Sequence, residues 1–142
     1  MKLTNQFVAV INKKIPTGKA LNALGHMSAG FVAKYSKLHN VDNLRFDDYA
    51  DADGNHHDSI SDHGFIVLRA DNSNKIRSLR NTLKEKGVDF VDFVETMTIG
   101  TYEEQQEATK QLKEEELEYY GICFFHDIAK SKELTKKFSL YQ

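Results

Sequence analysis

The stretch Phe7-Val8-Ala9-Val10-Ile11-Asn12, followed by Lys13-Lys14-Ile15-Pro16 and then Thr17-Gly18-Lys19-Ala20-Leu21, decides the fold. Five consecutive apolar residues rich in β-branched side chains, with no polar alternation, read as a strand buried on both faces. Pro16 disfavours helix in the residue before it and permits a turn. Thr17 is a candidate cap for the helix that follows. That helix is predicted to run to about Lys37, with Ala20, Leu21, Ala23, Leu24, Met27, Ala29, Phe31 and Val32 apolar. Such a face is too wide for a surface helix and predicts extensive burial. Its small residues, including Gly25, Ser28 and Gly30, would let it lie close to a sheet.

Three further β-rich runs continue the pattern. Gly64–Ala70 reads as a second buried strand. A helix capped within Asp71–Ser73 then runs to about Lys86, with Ile76, Leu79 and Leu83 on one face and Gly87 as its stop. Val88–Met97 reads as a third strand, and Gly100-Thr101-Tyr102 as a turn whose threonine can cap an acidic helix over 103–117. Tyr120–His126 reads as a fourth strand, followed by a short helix near 127–135 and the tail Lys136–Tyr141. The Asp-rich segment 42–63 is an excursion, with a hairpin of Phe46–Ala52 and His56–Ser61 turning at Asp53-Gly54 or Gly54-Asn55. The expected architecture is one α/β domain over 1–142. It is a three-layer α/β/α sandwich with Phe7–Asn12, Phe65–Ala70, Phe90–Glu95 and Gly121–His126 in a four-stranded mixed sheet.

The chain has 142 residues, 40% apolar and 28% charged, which suits a globular domain with a proper core. No apolar stretch is long enough to cross a membrane, and the N-terminus lacks a signal-peptide pattern. The single cysteine, Cys123, excludes an internal disulfide, and a cytoplasmic location is expected. Cys123 sits in an apolar strand and reads as a core residue. The net charge of −2 hides segregation. Residues 1–41 carry six lysines and no acid, whereas residues 42–62 carry seven aspartates and one arginine. A generic nucleic-acid binder is basic overall. RNA contact would therefore need one basic face, expected from the first helix and the C-terminal tail. The alternative is a solubilising mosaic of charge.

Several groups could carry chemistry. Gly18-Lys19 at a helix start behind a buried strand suits an anionic ligand, because the helix dipole and its free N–H groups point at it. Thr17 and Gly18 open the helix at that site, and His26 lies two turns on from Lys19 along the helix. A helix-contact role for His26 is the alternative. Asp51-Ala52-Asp53-Gly54-Asn55-His56-His57-Asp58 invites a metal reading, but the calcium-loop register fails: it would place Tyr49 first and Ile60 twelfth. A transition-metal site through His56, His57, His63 and the nearby aspartates is the alternative, but adjacent histidines on a strand point to opposite faces, so a solvated hairpin without metal is expected. No cofactor is expected.

Phe7–Asn12 with Gly18-Lys19-Ala20-Leu21-Asn22-Ala23-Leu24-Gly25-His26 resembles the opening of type 2 peptidyl-tRNA hydrolases. Gly100-Thr101 is similar to their Gly-Thr turn, and Leu134-Thr135-Lys136-Lys137-Phe138-Ser139-Leu140 to their closing segment. Together with Tyr49–Asn55 and Val94-Glu95-Thr96-Met97, these residues most resemble a bacterial family of unknown function with that fold. The resemblance implies cleavage of the ester joining a peptide to tRNA. It maps that family's functional lysine onto Lys19 and its threonine onto Thr101. Its glutamine falls at Ala23, beside Asn22, and Glu95 is the acid nearest its aspartate. The expected catalytic set is therefore Lys19, Glu95, Thr101 and His26, with Thr17, Gly18, Asn22 and Gly100 binding ligand. The expected partners are a small anionic ligand or tRNA, with a homodimer also allowed and no membrane. A non-catalytic small-ligand or protein-binding domain using the same cleft is the second expectation.

Overall fold

The computed structural model describes residues 2–142. Its elements in chain order are β1 (Asn5–Asn12), α1 (Thr17–Leu38), β2 (Phe46–Ala50), β3 (His56–Ser61), β4 (Gly64–Ala70), α2 (Ser73–Glu85), β5 (Phe90–Val94), α3 (Tyr102–Lys110), β6 (Tyr119–Asp127), α4 (Ile128–Leu134) and β7 (Ser139–Leu140). Three 3₁₀ turns intervene, at Val41–Leu44, Glu95–Thr98 and Glu114–Glu116.

The main sheet is mixed and has five strands in the order β5-β6-β1-β4-β7. β1 runs parallel to β4 and antiparallel to β6. β5 lies antiparallel to β6, and β7 antiparallel to β4. All four expected strands share this sheet. The fifth, β7, adds only Leu140 beside Leu68 and Ser139 beside Arg69. It is too short to show a hydrophobic pattern, which is why the sequence suggested four strands.

β1, with its apolar run Phe7–Ile11, occupies the middle of the sheet and serves both faces by simple alternation. Phe7 and Ile11 pack with Ala20, Ala23, Met27 and Phe31 of α1. Val8 and Val10 pack on the other face with Ile76, Leu79 and Leu83 of α2. In β6, Tyr119, Ile122 and Phe124 face α2, while Tyr120 and Cys123 face α1. The break in alternation is a β-bulge: β5 pairs Phe93 with Gly121 but Val94 with Tyr119, leaving Tyr120 as the extra residue. Gly121 is fixed by crowding, because a Cβ there would lie 2.7 Å from Met27 Cε and 3.2 Å from the Val10 carbonyl oxygen. Burial pushes the Cys123 thiol up to about 12, so it is an inert core group.

Several local expectations change. The buried stripe of α1 is narrow, Ala20, Ala23, Met27 and Phe31, while Leu21 is 60% exposed. Small residues therefore serve close approach on one side only. Thr17 does not cap α1; it is the first helical residue, after the extended Pro16. β4 is covered only in part: Leu68 and Ala70 are buried, whereas Phe65 is 43% exposed. β5 ends at Val94, so Glu95 opens a 3₁₀ turn rather than closing a strand. The acidic helix ends at Lys110, not near 117. β2 and β3 form the expected hairpin as a separate two-stranded sheet. In it, His57 lies 3.0 Å from Asp51 and His56 lies 3.7 Å from Asp48. His63 is buried away from both, between the carbonyl oxygens of Asn5 and Asn43 at 3.1 and 3.0 Å. Among the described residues no three histidine, cysteine or acidic side chains converge. No helix among them is long and apolar enough to cross a membrane.

Candidate functional site

The parallel pairing of β1 and β4 brings their C-terminal ends to one edge of the sheet. The antiparallel β6 begins at that edge and β5 ends there. In mixed α/β sheets this carboxyl edge is where loops and helix starts gather side chains around a ligand. Here it receives the Lys13–Pro16 loop, the first turn of α1, Glu95 and Glu118. Asn12 secures it from below. This 1% exposed side chain donates from Nδ2 to the Tyr119 carbonyl at 3.1 Å, and its Oδ1 accepts from the Lys14 N–H at 2.9 Å. One buried amide thus fixes the loop bearing Lys14 to the start of β6.

At the centre are two carboxyls. The Glu95 N–H donates to the Glu118 carbonyl at 3.0 Å, so the two residues are pinned together through the backbone. Interaction with the Glu95 side chain, partial burial and the like charge of Glu95 raise the Glu118 carboxyl above the ordinary glutamate range. Lys14 and Lys19 act in the opposite direction. Tyr120, placed by the bulge, is raised by burial and then by the charges of Glu95 and Glu118. The site thus holds two neighbouring acids, a phenol that senses both and two ammonium groups close enough to act on Glu118.

Folded Glu118 keeps its proton at a pH where the unfolded chain has released it. The folded state then binds more protons, and stability falls as pH rises through that titration. Glu118→Gln cannot titrate and removes the repulsion. It is expected to raise the melting temperature at about pH 8 and to lose that advantage near pH 4, where both chains are neutral at this position. Thermal melts at the two pH values check this.

The predicted site residues divide. Lys19 and Glu95 fall in one neighbourhood, linked through Glu118. Thr17, Gly18 and Asn22 lie exposed on the first two turns of α1, whose first turn holds no acid. His26 is exposed, and its ring lies over Phe93 at 5.8 Å; Phe93 in turn neighbours Tyr120 at 6.5 Å. It lines a cleft of about 370 Å³ with Met27, Val91, Asp92, Phe93, Met97 and Gln105. Met97 and Gln105 also line a larger neighbouring cleft of about 570 Å³ along α3. Thr101 caps α3: its Oγ1 accepts from the Glu104 N–H at 3.3 Å, and Glu104 returns a bond to the Thr101 N–H. Gly100 serves the same turn, with φ +48° and no room for a Cβ beside Glu104. Both have a structural task that accounts for their presence.

Glu118, Tyr120 and Lys14 were missed by sequence reasoning. Glu118 ends an acidic run that reads as solvated helix. The actual turn there depends on Arg77, whose Nε donates to Glu114 Oε2 at 2.9 Å and whose Nη2 donates to the Leu117 carbonyl oxygen. Tyr119 adds a hydroxyl donation to Glu114 at 2.7 Å, and the Arg77 guanidinium stands over its ring at 5.1 Å. These contacts hold the chain leading into Glu118.

A family model described as "Protein of unknown function (DUF2000)" matches residues 5–142. The chain belongs to the DUF2000 family. Among solved structures, this DUF2000 protein is similar to the protein of unknown function Atu0240 from Agrobacterium tumefaciens strain C58. The TM-score is 0.80 at 15% identity, covering 99% of this chain and 100% of that one. At that identity the likeness is one of fold. No curated protein sequence matches the chain.

Proposed function

We propose that this DUF2000 protein hydrolyses an ester of the peptidyl-tRNA class, on a peptidyl-tRNA hydrolase-like three-layer scaffold. The observation that carries the reading is the Glu95–Glu118 pair, joined by the backbone bond from the Glu95 N–H to the Glu118 carbonyl at 3.0 Å, with Lys14 and Lys19 near enough to act on the Glu118 carboxyl. Acyl transfer to water needs a base for the water, an acid for the leaving alcohol and positive charge for the carbonyl oxygen. The pair supplies the first two. Glu95 takes a proton from water as the oxygen attacks the ester carbon. Glu118, whose carboxyl is raised above the ordinary range, gives its proton to the departing ribose oxygen. Lys19 and the free N–H groups at the start of α1 meet the oxyanion between these steps. The C–O bond breaks, a carboxylic acid and a free hydroxyl leave, and the proton on Glu95 restores the pair.

A second reading, a binding domain without turnover, draws on the two clefts that share Met97 and Gln105. The test separates the two. Release of free tRNA from a peptidyl-tRNA is measured for the wild type and Lys19→Ala, with a simple aminoacyl ester as second substrate. Lys19→Ala is expected to lower the rate about a hundredfold or more. Its melting temperature should hold or rise, because an ammonium at a helix start is unfavourable to the dipole. Equal rates for both proteins on both esters would remove the hydrolase reading and leave the binding domain.

A further inference from the structure

We propose that the recess between Lys13, Arg69, Lys75 and Lys137 binds a phosphate group. This site stands whether or not the acid pair cleaves esters. Four cations from four separate elements meet around a small recess of about 140 Å³ floored by Phe138 and Ser139. Lys13 is held by its own N–H, which donates to the Ala70 carbonyl at 2.9 Å. Arg69 is placed by β4, whose pairing with Ser139 also fixes the C-terminal tail. Phe138 packs against the α2-side core and so holds Lys137 in position. Lys75 sits in the first turn of α2, a turn with no acid.

A single carboxylate faces this group. Asp71 lies 3.0 Å from Lys13, and its carboxyl is held below the ordinary range by Lys13 first, then by Lys75 and Arg69. Among the described residues, Arg69, Lys75 and Lys137 make no ion pair or side-chain hydrogen bond. Gathering these like charges around one recess is unfavourable because they repel one another. Lys75 also adds positive charge where the helix end is already positive. A dianionic or monoanionic phosphate relieves both penalties. It fits the mixture of one planar guanidinium and three ammonium groups, each of which recognises phosphate oxygens. Asp71 is largely exposed and can turn away to release Lys13.

The phosphate could belong to a small phosphate ester or to an RNA backbone. Binding is measured by calorimetry and backbone NMR in about 0.1 M salt, with inorganic phosphate, uridine, uridine 5′-monophosphate and a short single-stranded RNA without terminal phosphates as probes. The wild type is compared with the Arg69→Gln/Lys137→Gln double variant. The monophosphate is expected to bind with a Kd below about 1 mM and uridine not to bind. The double variant should bind at least about tenfold more weakly, with an unchanged or higher melting temperature in phosphate-free buffer. Binding of inorganic phosphate and the monophosphate identifies a small phosphate ester. Binding of RNA alone, lost in the variant, identifies a phosphodiester. If the double variant is unfolded, Lys75→Gln is measured in its place with the same expectations. Uridine binding as tightly as its monophosphate would overturn the proposal. So would variant affinities within about threefold of the wild type, or no binding of any probe at about 1 mM.

Discussion

Glu95→Gln is expected to lower kcat/KM for ester cleavage by about 10²–10⁴-fold, the range for loss of a general base. The amide keeps the volume and the backbone bond from the Glu95 N–H to the Glu118 carbonyl. It cannot accept the proton of an attacking water. It also removes a like charge from beside Glu118, so the melting temperature should hold or rise. That combination distinguishes a functional acid from a structural one, whose loss would lower stability. Steady-state rates with a peptidyl-tRNA, measured beside thermal melts, provide the check. A variant within about threefold of wild-type activity would exclude Glu95 as the base.

Phe31→Ala should have the largest effect on stability, a loss of about 3–5 kcal/mol. Phe31 is 1% exposed and is the bulkiest contribution of α1 to the core. Its ring meets Phe7 edge-on at 6.2 Å and Tyr35 at 6.1 Å. Removing it leaves a cavity between α1 and the middle strand that rigid neighbours cannot close. The expected fall in melting temperature is roughly 10 °C for a chain of this length. Denaturant or thermal unfolding measures it. A loss below about 1 kcal/mol would mean that α1 does not pack on β1 as described.

These two predictions rest on features that differed in how visible they were. The core was legible because Phe7–Ile11 of β1 is an unbroken apolar run, and a central strand can bury both faces of such a run. The stripe Ile76, Leu79 and Leu83 identified α2 by spacing alone. Lys19 stood out because it opposes the helix dipole. Glu118 did not. Five of the residues from Lys113 to Glu118 are charged, and nothing local shows that the helix ends at Lys110. The turn that replaces it is drawn down by Arg77, 37 residues earlier in the chain. The Tyr120 bulge was equally hidden, because it comes from registry with β5 and not from β6 itself. The basic recess was half visible. The tail supplies Lys137 as expected, but α1 supplies none of its cations; Lys13, Arg69 and Lys75 come from the loop, β4 and α2.

The effect of Glu95 on the Glu118 carboxyl is the centre of the account, and ¹³C NMR titration of the Glu118 carboxyl tests it most directly. The account predicts that the Glu118 signal titrates above the ordinary glutamate range and returns towards it in Glu95→Gln. A Glu118 carboxyl that titrates in the ordinary range in the wild type, and does not respond to Glu95→Gln, would contradict it.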